Sequence, residues 1–151
     1  MIREDLKKAL VDALKTKNEK KTATIRLINA AIKDKDIEAR PKGITDGIDD
    51  TAILSLLQSM VKQRKESIEM YKQGGREDLV ASEQAEIDII SAFLPQQMSE
   101  EETKKAIEVV IQEIGATSIK DMGKVMGALK AKYAGQMDFS IASGLIKGLL
   151  A

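Results

Sequence analysis

The chain has 151 residues, of which 43% are hydrophobic, 32% are charged and only 3% are aromatic, a composition typical of a globular protein with an aliphatic core. It contains no Cys and no His, which excludes disulfides, structural zinc sites, Cys nucleophiles and Ser-His-Asp triads. Its 24 basic and 24 acidic residues give a formal net charge of zero, so any attraction to nucleic acid must come from a local patch.

The absent thiols are consistent with a reducing compartment, and the charged N-terminal segment lacks the pattern of a secretory signal peptide. We therefore expect a cytoplasmic protein. No apolar run approaches the roughly 20 residues of a membrane span, so no membrane partner is expected.

The first two predicted helices are amphipathic. Apolar residues recur at helical spacing from residue 2 to residue 13 and again from residue 25 to residue 32, which indicates two buried stripes. Asn18 has a side chain suited to cap the second helix. Residues 40–47 contain one proline and two glycines and are predicted to form a loop. The two stripes consist of Ile2, Leu6, Ala9, Leu10 and Ala13, and of Ile25, Ile28 and Ile32.

The third and fourth predicted helices form a hairpin. Asp49 caps the third helix, which ends at the Gly74-Gly75 pair, where left-handed backbone geometry is available. The fourth helix runs from about residue 77 to residue 92, and the short turn between the two helices implies antiparallel packing. A lobe boundary is expected at Pro95–Met98.

Three further helices are predicted in the C-terminal part. Ser99 and Glu102 have the spacing of a capping box at the start of the fifth helix, which ends near Gly115. Ser118 opens a sixth helix and Asp138 a seventh. The chain is thus predicted to be all-α, with an N-terminal four-helix lobe at residues 1–94 and a C-terminal three-helix lobe at residues 95–151.

Charged residues interrupt the apolar stripes of the hairpin. Arg64 lies in the stripe of the third helix, and Glu83 and Glu86 lie in the stripe of the fourth. The hairpin register places the guanidinium opposite the carboxylates, and an unpaired charge there would be costly. We predict a half-buried ion cluster that fixes the register, and a charged pocket is the alternative.

A basic stretch lies next to Arg64. Lys62 and Lys65 flank it but fall outside the buried stripe. A solvated helix face is the simpler explanation, and contact with phosphates is the alternative.

Small residues line one face of the sixth helix. Gly123 and Gly127 lie four positions apart, and a glycine inside a helix costs about 1 kcal/mol relative to alanine. A flat surface admits a packed helix or a nucleic-acid backbone, and Lys120, Lys124 and Lys130 at its edge suit phosphates. The seventh helix repeats the pattern with two glycines. Helix packing and RNA contact remain equal alternatives from the sequence.

No catalytic residue is identified. There is no phosphate-binding Gly-rich loop before a Lys-Ser or Lys-Thr pair. Asp34 and Asp36 form only a weak carboxylate pair at a helix end. Carboxylate-only chemistry and Mg²⁺ binding stay open, but no metal or other cofactor is expected, and neither is an independent enzyme.

Two stretches carry a family resemblance: VKQRKESIEMYKQGGREDLVASEQAEIDIISAFLPQQMSEEE, and further on DMGKVMGALKAKYAGQMD. They resemble the YqeY family of small proteins, along essentially the whole chain. This resemblance implies an N-terminal four-helix lobe and a C-terminal three-helix lobe. The C-terminal part also resembles the tail domain of GatB, a subunit of the amidotransferase that amidates Glu-tRNA or Asp-tRNA.

The resemblance implies a tRNA-binding accessory module related to a carbon–nitrogen ligase that uses glutamine as its amide donor. The expected partners are tRNA and either an amidotransferase or an aminoacyl-tRNA synthetase, since a YqeY-like module is also found fused to a glutaminyl-tRNA synthetase. Gly123, Lys124, Gly127 and the nearby lysines form the matching surface. A protein–protein adaptor that receives a partner helix on the glycine-rich face is the alternative.

Overall fold

The computed structural model describes all 151 residues. It contains seven α-helices and no strand, so the all-α prediction is confirmed. No helix combines the length and apolarity that crossing a membrane requires. The helices are α1 (Ile2–Lys15), α2 (Glu19–Ala39), α3 (Asp50–Gln73), α4 (Glu77–Ser91), α5 (Glu100–Ile114), α6 (Met122–Tyr133) and α7 (Phe139–Leu150).

The predicted helix caps are confirmed where side chains meet the first free N–H groups. Asn18 accepts a hydrogen bond from the Lys21 amide at 3.1 Å, and Asp49 accepts one from Ala52 at 2.9 Å. The capping box of α5 is complete, with Ser99 and Glu102 exchanging both backbone-to-side-chain bonds. The bond from the Ser99 amide to the Glu102 carboxylate is the largest cause that holds the pKa of this carboxyl below its usual value.

Two local features differ from the sequence prediction. Residues 40–42 form a 3-10 helix rather than an open loop. The sixth helix begins at Met122, not at Ser118, because a 3-10 turn intervenes and the Asp121 carboxylate accepts the Thr117 amide at 3.0 Å. As predicted, α3 ends at the Gly74-Gly75 pair, where Gly75 supplies the left-handed geometry with φ +70° and Gly74 keeps a negative φ of −85°.

The first compact unit comprises Met1–Leu94. Within it α2 contacts all three other helices, and α3 and α4 pack against each other as a hairpin. The protein has three buried threonines, and the hydroxyl of each donates a hydrogen bond to the backbone carbonyl four residues earlier. The buried core of this unit consists of Leu6, Ala13, Ile25, Ile28, Ile32, Ile53, Leu57, Met60 and Ile90.

The second compact unit comprises Pro95–Ala151. Its three helices contact one another pairwise. The loop before α7 adds the fully buried Met137, and the Met98 amide donates to the Gln136 carbonyl at 2.8 Å. The buried core consists of Ala106, Ile107, Val110, Val125, Leu129, Met137, Ala142, Ile146 and Leu150.

Candidate nucleic-acid interface

The glycine face of α6 is open to solvent. Val125 and Leu129 are fully buried on one side of the helix, whereas Gly123 and Gly127 are exposed. A Cβ atom added to either glycine would meet nothing within 4 Å. The helix therefore keeps two glycines at positions where no neighbouring part of the protein needs the space.

Lysines surround this face without carboxylate partners. Lys120 lies in the 3-10 turn before α6, and Lys124 and Lys130 lie on α6 itself. All three are exposed, and none forms a hydrogen bond or an ion pair. Lys132, by contrast, pairs with Glu113 at 3.4 Å. We call Lys120, Gly123, Lys124, Gly127 and Lys130 the glycine–lysine face.

The glycines of α7 are also open. Gly144 and Gly148 are exposed and have free space where a Cβ would be. Helices α6 and α7 do contact each other, but a Cβ at any of these four glycines would meet nothing within 4 Å. Packing of α6 on α7, one of the two explanations that the sequence left open, thus does not account for the glycines.

Lys62 and Lys65 are exposed on α3, in the first compact unit. They lie on either side of Arg64, whose side chain turns inward and is only 15% exposed. The basic stretch is therefore split: its two lysines face solvent and its arginine contributes to the interior of the hairpin.

Arg64 joins α3 to α4 through Glu86. Its Nε donates to Glu86 Oε2 at 3.0 Å, and its Nη1 donates to the Met60 carbonyl of its own helix at 3.0 Å. Lys20 of α2 completes the group, because its Nζ reaches Glu86 Oε1 at 3.4 Å and Ser82 Oγ at 2.7 Å. One carboxylate thus connects three helices.

Glu83 lies outside this ion cluster. It is half-buried on α4 but forms no hydrogen bond or ion pair. The sequence placed both glutamates opposite Arg64, and the structure brings only Glu86 to it. The sequence did not predict the contribution of Lys20. Its partners lie 62 and 66 positions away, and no local pattern connects them.

A second charged bridge closes the loop between α2 and α3. Arg3 donates through both terminal nitrogens to Asp36, at 3.0 and 2.8 Å, and through Nη2 to the Ile48 carbonyl at 2.9 Å. Asp36 also accepts the Ile48 amide at 2.8 Å. Gly47, with φ +92°, makes room for this, since a Cβ there would lie 2.6 Å from Arg3 Nη2. No local sequence pattern indicates this bridge, because Arg3 lies 33 positions from Asp36 and 45 from Ile48.

The bridge shifts the pKa values of both partners in the directions that favour their charged forms. The hydrogen bond from Arg3 holds the pKa of Asp36 below its usual value, and the same bond raises the pKa of Arg3. Asp36 is thus committed to an arginine and a backbone amide rather than paired with Asp34. No group of three or more His, Cys, Asp or Glu side chains is arranged to hold a metal ion.

Comparison with known proteins identifies one family. A family model described as "Yqey-like protein" matches residues 3–150. Relatives named "Altered inheritance of mitochondria protein 41, mitochondrial" share 35% identity in Eremothecium gossypii, over 77% of this chain and 60% of the relative. The protein of that name in Lachancea thermotolerans shares 37%, over 63% and 46%, and the one in Saccharomyces cerevisiae shares 35%, over 64% and 48%.

These names contradict the cytoplasmic expectation. The relatives are named as mitochondrial proteins, whereas the expectation rested on absent cysteines and on the lack of a secretory signal. Absent cysteines report on disulfide chemistry and do not distinguish one compartment from another. The chain spans about half to three fifths of the length of these relatives.

Proposed function

The chain belongs to the Yqey-like protein family, and from this membership and its glycine–lysine face we propose that it is a tRNA-binding accessory module. It would hold tRNA for an amidotransferase or an aminoacyl-tRNA synthetase. Carbon–nitrogen ligase chemistry belongs in this proposal to the partner enzyme and not to this chain.

The observation that carries the proposal is the open space above Gly123 and Gly127. Each glycine costs the helix about 1 kcal/mol relative to alanine, and neither relieves a contact inside the protein. The presence of these glycines then requires a reason outside the protein. Close approach of a nucleic-acid backbone is such a reason, because a Cβ at these positions would impede it.

The three unpaired lysines favour phosphate as the group that approaches. Lysine ammonium groups bind phosphates as point charges, and Lys120, Lys124 and Lys130 have no carboxylate to neutralise them. The local patch supplies the attraction that the zero net charge of the whole chain does not. Lys62 and Lys65 are proposed as a separate phosphate contact on α3.

The test is a fluorescence-anisotropy titration of labelled tRNA across salt concentrations. The triple variant Lys120→Gln, Lys124→Gln, Lys130→Gln is compared with Lys104→Gln, Lys105→Gln, Lys147→Gln, which removes the same charge from exposed positions of the same compact unit. Because the relatives are named as mitochondrial proteins, mitochondrial tRNA is the first probe and cytosolic tRNA is the second.

We expect tRNA affinity to fall with salt, and the slope to shrink by about 0.7 to 0.9 for each phosphate that the first variant no longer neutralises. The control triple should keep the wild-type slope. Equal loss of tRNA affinity in both variants would mean that only the net charge matters and not the glycine–lysine face. Binding that does not depend on salt, or no binding at micromolar protein, would contradict the proposal.

A protein–protein adaptor remains the second candidate because of α7. Beside its open glycines, Ile141 and Leu149 are 43% and 40% exposed, and Lys147 is the helix's only cation, a surface better suited to an apolar helix than to phosphates. Gly148→Leu should then abolish a pull-down partner while tRNA affinity persists. Unchanged partner capture would argue against the adaptor.

A further inference from the structure

A cleft of about 270 Å³ lies between α1 and α2 in the first compact unit. Its apolar lining comes from Leu6 and Ile32, which are 1% and 4% exposed. Its polar lining comes from both helices and consists of Arg3, Lys7, Asn29, Lys33 and Asp36.

The helix register brings two lysines to this cleft from opposite sides. Helices α1 and α2 are joined by a short turn, and Arg3 near the start of α1 pairs with Asp36 near the end of α2. In antiparallel packing, one helical turn further along α1 corresponds to one turn back along α2. Lys7 is therefore level with residues 32 and 33, and it faces Lys33 across the cleft.

No side chain in the cleft is available to balance these lysines. The only carboxylate, Asp36, already accepts three hydrogen bonds, two from Arg3 and one from the Ile48 amide. Lys7 and Lys33 form no hydrogen bond or ion pair. Three cations and one carboxylate leave the lining with a formal charge of +2, and the excess positive charges repel each other.

We propose that this cleft binds the phosphate group of a small phosphorylated molecule. A dianionic phosphate between Lys7 and Lys33 would remove the repulsion and form charge-assisted hydrogen bonds with both. Asn29 adds an amide donor, and the buried side chains of Leu6 and Ile32 form the base of the cleft. The volume lies just below the range of about 300–1,000 Å³ typical of small-molecule sites, which suits a nucleotide-sized ligand or a smaller one.

The experiment is an amide chemical-shift titration of the full chain with inorganic phosphate, with adenosine monophosphate and with adenosine. We expect saturable shifts centred on Lys7, Asn29 and Lys33 with both phosphate-bearing probes and none with adenosine. Tighter binding of the nucleotide than of phosphate would identify a phosphomonoester as the ligand, whereas equal binding would identify free phosphate.

Lys7→Gln combined with Lys33→Gln should weaken binding of the phosphate probes about tenfold or more, because each change removes a charge-assisted hydrogen bond. Lys8→Gln with Lys35→Gln is the matched control, with one exposed lysine on each of the same helices outside the cleft lining, and should change affinity less than about twofold.

Three results would overturn the proposal: no saturable shifts, shifts centred elsewhere in the wild-type chain, or equal weakening by the control pair. The shift map of the wild type gives an answer even if a variant fails to fold. These substitutions leave the glycine–lysine face of α6 intact, so the outcome is independent of the tRNA proposal.

Discussion

Two glutamates one helical turn apart on α4 have different environments. Glu86 accepts from Arg64 and from Lys20, whereas Glu83 is half-buried without a partner. Both are compatible with the hairpin register read from the sequence, because that register is defined only to about one turn. Packing of α2 against the hairpin selects Glu86, since it brings Lys20 to the same carboxylate.

Glu86→Gln should destabilise the protein by about 1–3 kcal/mol, because it leaves the guanidinium of Arg64, a side chain only 15% exposed, without its counter-charge. Glu83→Gln, the same change on the same helix, should stay within about 0.5 kcal/mol. Urea denaturation of both variants measures the difference. Equal costs for the two would mean that the ion cluster does not stabilise the hairpin.

The bridge between Arg3 and Asp36 makes stability depend on pH. The folded-state pKa of Asp36 lies below its ordinary value of 3.8, so the unfolded chain binds more protons in this range and stability rises with pH. The contribution of the bridge to folding stability is fully present when the pH is above the ordinary pKa of Asp36. It is lost as the pH falls through the lowered pKa of the folded state.

Asp36→Asn should therefore cost about 1–2 kcal/mol at about pH 7, where the bridge is charged but partly exposed to solvent. The cost should shrink towards about pH 3, because below the ordinary pKa of 3.8 the unfolded chain takes up a proton that the folded carboxyl does not yet bind. Denaturation curves of both proteins at the two pH values measure this. If Asp36→Asn costs the same stability at both pH values, the loss is due to the changed shape of the side chain and not to its charge.

At the scale of the helices, α6 combines good core packing with poor intrinsic helix propensity. Val125 and Leu129 are fully buried, so tertiary contacts hold the helix in place, and they allow it to carry exposed glycines. A structural role for these glycines would require a neighbour that a Cβ would strike, and there is none within 4 Å.

Gly127→Ala should stabilise the protein by up to about 1 kcal/mol, because alanine restricts the unfolded chain and meets open space in the folded one. Gly144→Ala on α7 should behave in the same way. Thermal denaturation measures the change in stability. Titration of the two variants with tRNA measures the change in tRNA affinity. Reduced stability in Gly127→Ala would show that the helix needs this glycine internally.

At the scale of the whole molecule, two compact units each bury an aliphatic core of their own. The core of residues 1–94 is built on isoleucines of α2 and α3 together with Leu6 and Leu57, and that of residues 95–151 on Ile107, Leu129 and Ile146. Neither group of buried residues includes a side chain of the other unit, so their local stabilities can differ.

Ile146→Ala should remove about 2–5 kcal/mol from the C-terminal unit, because the side chain is fully buried. Hydrogen exchange should then quicken throughout residues 95–151 and stay near the wild-type rate in α2 and α3. Leu57→Ala is the reciprocal variant and should give the opposite pattern. A uniform decrease of protection in both variants would indicate a single cooperative unit.

The elements were largely predictable because the signals that define them are local. The caps at Asn18, Asp49 and Ser99 depend on neighbours within three residues. Where two local solutions compete, as between a 3-10 turn and the first turn of α6, the sequence placed the start of the helix a few residues too early. The candidate lysines of α6 were likewise identified from spacing alone.

The sequence by itself thus determined the helical class, the helix caps and the membership of a family, because periodicity, capping and motif similarity are properties of short segments. Only the tertiary structure decided that Glu86 and not Glu83 meets Arg64, that Lys20 and Arg3 close charged bridges, and that the glycines of α6 face open space. The physical reason is that these outcomes depend on side chains from helices far apart in the chain, whose meeting is determined by core packing rather than by local sequence.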